Sequence, residues 1–207
     1  MNKRNLILLI CLLSLSTALG CGQAATSQPT ATPIPGWEKF EGDGVELWLP
    51  ESYEGGTRED MEMINEAIRS LGPEFEQAVQ AVEQNPSMFI IWAIDSDIGD
   101  SGGVTNVSVM KEKLIYAFPI DNLIDEVIKE LPAQWQVVER GIVSLENYQA
   151  GRVVVEATIS DFSVKQLGYY IKDGNTMWLI SFGSLAEDFD QRLPVFELSI
   201  LTFAIQS

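Results

Sequence analysis

The run MFIIWAI, Met88 to Ile94, sets the tightest limit on the fold. It is too short for an ordinary helix and is rich in β-branched and aromatic side chains, so it reads as a strand. A strand with no polar alternation has to be covered on both faces. The chain therefore needs material above and below its sheet at this point.

The flanking pattern supplies that material. Thr57 and Asp60 form a capping-box start. Met61, Ile64, Ile68 and Leu71 then recur at helical spacing up to Gly72. Pro73 opens a second helix with Phe75, Val79 and Val82 on one side. After the apolar strand, Asn106–Lys111 alternates as a second strand. Asp121 is expected to cap a helix whose inner face is Leu123, Ile124, Val127, Ile128 and Leu131, stopped by Pro132.

Strands are expected at Trp135–Val143, Gly151–Ser160, Val164–Ile171 and Thr176–Phe182, the last two joined through the hairpin signal Asp173-Gly174. Phe189, Leu193, Phe196, Ile200 and Phe203 step by four and three, the inner face of a closing helix with Pro194 near its first turn. Upstream, Trp37–Phe40 and Val45–Leu49 read as a strand pair around Gly42-Asp43-Gly44. Consecutive strands on tight turns give an antiparallel sheet. The fold class is α+β: a mostly antiparallel sheet with helices on both faces.

The domain so read occupies 37–207, and the residues before it have another character. Lys3 and Arg4 precede the apolar stretch Leu6–Leu13, and small residues lead to Cys21. This is the layout of a signal peptide. The apolar stretch falls short of the ~20 residues of a membrane span. Ala18-Leu19-Gly20-Cys21 resembles the bacterial lipobox, with Gly20 and Cys21 in place and Ala18 and Leu19 departing from the usual Leu and small residue. The resemblance implies a signal peptide over 1–20, cleavage before Cys21 and a lipid on its sulfur. Two or three acyl chains give stable anchoring where one does not. Plain cleavage and secretion is the alternative.

With Cys11 removed, Cys21 is the only cysteine left, so an intramolecular disulfide is excluded. Residues 21–36 carry the lipidated cysteine and then an uncharged stretch rich in Pro, Thr and Ser. That composition cannot bury a core and reads as an extended stalk. The expected location is extracytoplasmic, held to a membrane through Cys21.

Charge excludes several functions. The chain has 13 Lys+Arg and 30 Asp+Glu, a net charge of −17. Loss of Lys3 and Arg4 with residues 1–20 leaves a net charge of −19. Phosphate backbones and anionic headgroups need a basic face, so nucleic acid is not an expected partner. There is no histidine. Imidazole-based general bases and triads are excluded, and with no free thiol so are zinc sites of His and Cys.

The remaining chemistry-bearing segments are weak. Gly99-Asp100-Ser101-Gly102-Gly103 matches the string around a chymotrypsin-type serine, but nothing can take the serine proton as imidazole does. Lys111 and Lys113 follow it, without any placement beside Ser101. Asp95, Asp97 and Asp100 form an oxygen-rich loop that could hold Ca²⁺. An EF-hand count from Asp95 fails, because positions six and twelve are Asp100 and Asn106. The simpler reading is a solvated acidic loop. Glu51, Glu54, Glu59, Asp60 and Glu62 are mostly explained by a helix's first turn. A carboxylate-based hydrolase is the third-ranked reading. Trp92 and Trp178 lie in apolar runs and are expected in the core; Trp37 and Trp135 are the candidates for a binding surface.

The tail GYYIKDGNTMWLISFGSLAEDFDQRLPVFELSILTFAI, with Ser199 and Phe203 as a Ser-x-x-x-Phe ending, resembles the PsbP/Mog1-like domain. The opening WEKFEGDGVELWLPESYEGG fits the same pattern. The resemblance implies an α/β/α sandwich over 37–206, used as an accessory or binding module rather than an enzyme. Histidine metal sites of the plant members have no counterpart here. The expected function is a membrane-anchored accessory or protein-binding module without a cofactor. A small-molecule or Ca²⁺-binding module is the alternative.

Overall fold

Two β-sheets meet over one apolar core in the computed structural model. It describes residues 33–56, 89–98, 101–114, 119–159 and 161–206, together with Glu62, Asn65, Glu66, Arg69, Gln80 and Glu83. A small sheet is built from β1 (Trp37–Gly42), β2 (Val45–Pro50) and β10 (Ala204–Ile205), in the order β1-β2-β10. The main sheet holds β3 (Tyr53–Gly56), β4 (Phe89–Asp95), β5 (Thr105–Lys113), β6 (Trp135–Ser144), β7 (Gln149–Ile159), β8 (Phe162–Asp173) and β9 (Thr176–Leu185). Its order is β3-β4-β5-β9-β8-β7-β6 and every pairing is antiparallel. Two helices, α1 (Ile120–Glu130) and α2 (Ala186–Ile200), complete the described elements.

The alternation along β7 decides where the helices go. Val153 and Val155 pack under α1 with Leu123, Ile124, Tyr170 and Met177. Val154, between them, points to the opposite face, where it joins Leu167, Ile180 and Phe182 under α2. The helices therefore cover opposite faces of the sheet, α1 over β6 and β7, and α2 over β8 and β9; Ile90, Ile91 and Ala93 of β4 are buried in the cluster on the α2 side. Phe196 of α2 stacks on Phe182 at 5.0 Å, and Phe189 meets Phe196 edge-on at 6.0 Å. Such pairs add ~1 kcal/mol to the area they bury. Ile124 of α1 sits where a side chain on β7 would be: a Cβ at Gly151 would lie 2.5 Å from Ile124 Cδ1.

The small sheet covers the α2 side of the same core with Val45, Leu47 and Leu49, all fully buried. Its hairpin turns through Asp43 (φ 47°) and Gly44 (φ 83°). Two positive φ values suit the twist of a tight β-hairpin, and glycine takes the second without strain.

Several expectations need correction. α1 begins after Pro119, so Asp121 lies in its first turn and no side chain caps it. Pro194 lies inside α2, well past its first turn. Helix formation starts earlier than the Phe189 stripe suggested, and both Pro194 and Asp190, whose carbonyl loses its N–H partner, are exposed to water. Phe203 follows the helix rather than ending it. The β8–β9 turn is Gly174-Asn175, because Asp173 already pairs with Thr176. Glu54 lies in β3, not in a helix's first turn. The sequence reading also missed β3, β10 and the separate small sheet. The helices expected over Met61–Leu71 and from Pro73 fall largely outside the described residues; the six described positions there are all helical.

Candidate functional site

The acidic loop after β4 is tied down by an arginine. Asp95 closes β4 opposite Tyr53 of β3 and is 2% exposed. Its Oδ2 accepts from Arg192 Nη1 of α2 at 2.8 Å, and its Oδ1 accepts from the Asp97 N–H at 3.0 Å. Arg192 also donates to the Asp97 carbonyl. The Ser96 N–H and hydroxyl both donate to the Ser52 carbonyl at 2.8 Å. Burial raises the Tyr53 pKa, the Asp95 charge raises it further, and Arg192 opposes them. Of the three aspartates considered for Ca²⁺, Asp95 thus spends both oxygens within the protein, Asp97 is exposed, and Asp100 lies outside the described residues. Among the described residues no group of three or more Asp, Glu, Cys or His side chains is placed to hold a metal ion.

Ser101, in the protease-like string, donates its hydroxyl proton to Asp188 Oδ2 in the first turn of α2. Its oxygen accepts from the Gly103 N–H at 3.0 Å. Asp188 is buried. Neither lysine that follows is within reach. Lys111 pairs with Asp43 and lies six strand positions past Thr105, ~20 Å along β5. Lys113 lies further still. The geometry places a loop-to-helix tie here, with the hydroxyl held by the Asp188 carboxylate and neither lysine beside it.

A third cluster was not legible beforehand. Arg152 of β7 binds Glu197 of α2 through Nε (3.1 Å) and Nη2 (2.9 Å), and Glu139 of β6 through Nη1 (2.8 Å). The buried Tyr169 hydroxyl donates to Glu197 Oε2. Burial lowers the Arg152 pKa, but its bonds to Tyr169, Glu139 and Glu197 outweigh that and leave it raised. Tyr169 is raised, first by burial and then by Glu197. Two glutamates thus share this one arginine as its counter-ions. Asp95, Ser101 and Arg152 each bring a polar tie between α2 and the rest of the chain.

The open surface lies elsewhere. β6 ends the main sheet, and no described strand flanks its outer side. It is 10 residues long, and nearly every residue of it is exposed. Val137 is 37%, Val138 55% and Ile142 41% exposed. Val138 is the extra residue of a bulge between the Val137 and Glu139 pairings. Trp135, at the start of β6, is partly buried against the α1 cluster, and Trp37 is partly buried at the start of β1. Trp178 is buried in the core; Trp92 is partly buried and stacks on Phe89 at 5.4 Å. The one hint of the open edge in the sequence was QVVER, whose polar and apolar residues follow no clean alternation.

No known family profile matches the chain, and no curated protein matches it. Among the solved structures to which it is similar in chain path, all three described next have low sequence identity. Cyanobacterial PsbP from Synechocystis is 10% identical over 87% of this chain and 98% of that one, with a TM-score of 0.47. LpqN of Mycobacterium tuberculosis, involved in cell envelope biogenesis, is 11% identical over 83% and 91%, with a TM-score of 0.49. A protein from Bacteroides thetaiotaomicron is 11% identical over 83% and 49%, with a TM-score of 0.48. The fold class itself rests on the strand order and the two-faced core.

Proposed function

We propose that this chain is an extracytoplasmic lipoprotein, anchored through lipid on Cys21, whose domain binds a protein partner rather than catalysing a reaction. The observation that carries the binding role is the open β6 edge with Val137, Val138 and Ile142 exposed. An unpaired strand edge offers a row of free N–H and C=O groups to another chain. By contrast the groups with chemistry to offer, Asp95, Ser101, Arg152 and Glu197, are engaged in holding α2 in place. For the anchor, the support is the charged start, short apolar stretch and Gly20-Cys21 of the sequence. No helix among the described residues is long and apolar enough to cross a membrane.

Crosslinking in intact cells followed by mass spectrometry tests the binding role. A discrete protein captured reproducibly is expected. Capture of only an abundant background, together with turnover of a substrate by the purified protein, would sink the reading.

A further inference from the structure

We infer that β6 takes an extended, lysine- or arginine-bearing segment of another protein as an added strand. This rests on the partner-binding reading above and names its surface and chemistry. The geometry of the edge comes first. Past the bulge at Val138, Glu139–Ser144 runs in regular register with β7. That stretch can pair with a new strand on its outer side, while the bulge stops pairing at one end. Register with β7 puts Val137, Arg140 and Ile142 on the α1 face and Glu139, Gly141 and Val143 on the α2 face. An added strand along 139–144 would lay an apolar side chain against the exposed Ile142 on one face. On the other it meets open space at Gly141, where a Cβ would touch nothing within 4 Å. A bulky side chain opposite that glycine fills the gap.

Charge selects the occupant. Beside the edge, α1 exposes Asp121, Asp125, Glu126 and Glu130 against one base, Lys129. Arg140 Nη1 lies 2.7 Å from Asp125 Oδ1, which fixes this helix next to the edge. Both exposed bases are already held, Lys129 by Glu126 and Arg140 by Asp125. The whole chain carries −17. A basic segment is drawn to such a surface and gains main-chain bonds on arrival. A second copy fits worse. It brings the same exposed carboxylates of α1 to the seam, so like charges would face each other across it.

The test uses the full chain in detergent micelles and a fluorescein-labelled peptide of alternating valine and lysine, about ten residues long to match a strand. Anisotropy is expected to show binding, and amide hydrogen exchange to slow at residues 139–144. A valine–glutamate peptide of equal length is expected not to bind. Ile142→Asp separates strand pairing from bulk attraction, because it adds negative charge while removing an apolar contact. Strand pairing predicts roughly tenfold weaker binding for it, whereas attraction by charge alone predicts stronger binding. Val138→Asp, at the bulge outside the paired stretch, keeps the added charge but leaves the contact, and circular dichroism checks that both variants fold. Protection elsewhere, equal binding of the glutamate peptide, or undiminished binding by Ile142→Asp each overturns the proposal. So does a dimer in sedimentation that Ile142→Asp dissolves, since the occupant would then be a second copy. A partner captured in cells but crosslinked away from β6 overturns this edge and leaves the partner-binding reading standing. Peptide docking at 139–144 without any partner in cells does the reverse.

Discussion

Asp95 shows how much depends on one buried charge. It is 2% exposed, and its only cationic partner among the described residues is Arg192. Removing the arginine strands a carboxylate in the core. Arg192→Ala is therefore expected to cost about 3–5 kcal/mol in urea unfolding. Arg192→Met with Asp95→Asn is expected to recover much of that loss, because neither side chain is then an unpaired charge. Tyr170 carries a second residue-scale expectation. Burial pushes its pKa up to about 12 from 10.0. The native state thus holds the phenol proton more tightly than the unfolded chain. That contribution is fully present below pH 10.0 and is lost as pH rises through about 12. Tyr170→Phe has no phenol to ionise, so its stability should fall less steeply between those pH values, by up to about 3 kcal/mol. Unfolding curves at the two ends of that range measure the difference.

At the scale of elements, α2 is where sequence reading and structure diverge most. The apolar stripe Phe189, Leu193, Phe196, Ile200 identified its inner face correctly. Its start and its proline were misplaced, because local pattern carries no record of the contacts that hold a helix against its propensity. Those contacts are Ser101–Asp188, Asp95–Arg192 and Arg152–Glu197, whose partners lie 87, 97 and 45 residues apart in the chain. No spacing rule could have joined them. Strands fared better, since a β-strand's alternation is local; β6 to β9 shifted only at their ends. Short β3 and β10 were invisible because each depends on a distant neighbour for its bonds. Pro194 also yields an element-scale expectation. It removes one bond from α2, so Pro194→Ala is expected to raise stability by about 1–3 kcal/mol, read as a higher thermal midpoint.

For the whole molecule, MFIIWAI was read correctly as a buried strand, with Ile90, Ile91 and Ala93 in the core, while the opposite-face helices α1 and α2 pack on β6–β9 rather than on it. The absence of histidine was equally telling about chemistry, whereas the open edge was hidden in an unremarkable mixture of residues. The proposed lipid anchor belongs to this scale, since it would fix where the domain works. Radiolabelled palmitate is expected to enter the wild-type chain and not Cys21→Ser, and the variant is expected to leave the membrane fraction. Equal labelling of both would count against the anchor.

The last strand sets a timetable. β10 pairs with β2, joining Ala204 to Glu46, and the Gln206 N–H donates to the Gly44 carbonyl at 2.7 Å. β5 likewise waits for β9 before the two halves of the main sheet can join. Contacts this far apart close slowly, because the loop between them must be ordered first. Neither sheet is complete until these late strands are in place, so both close late in folding.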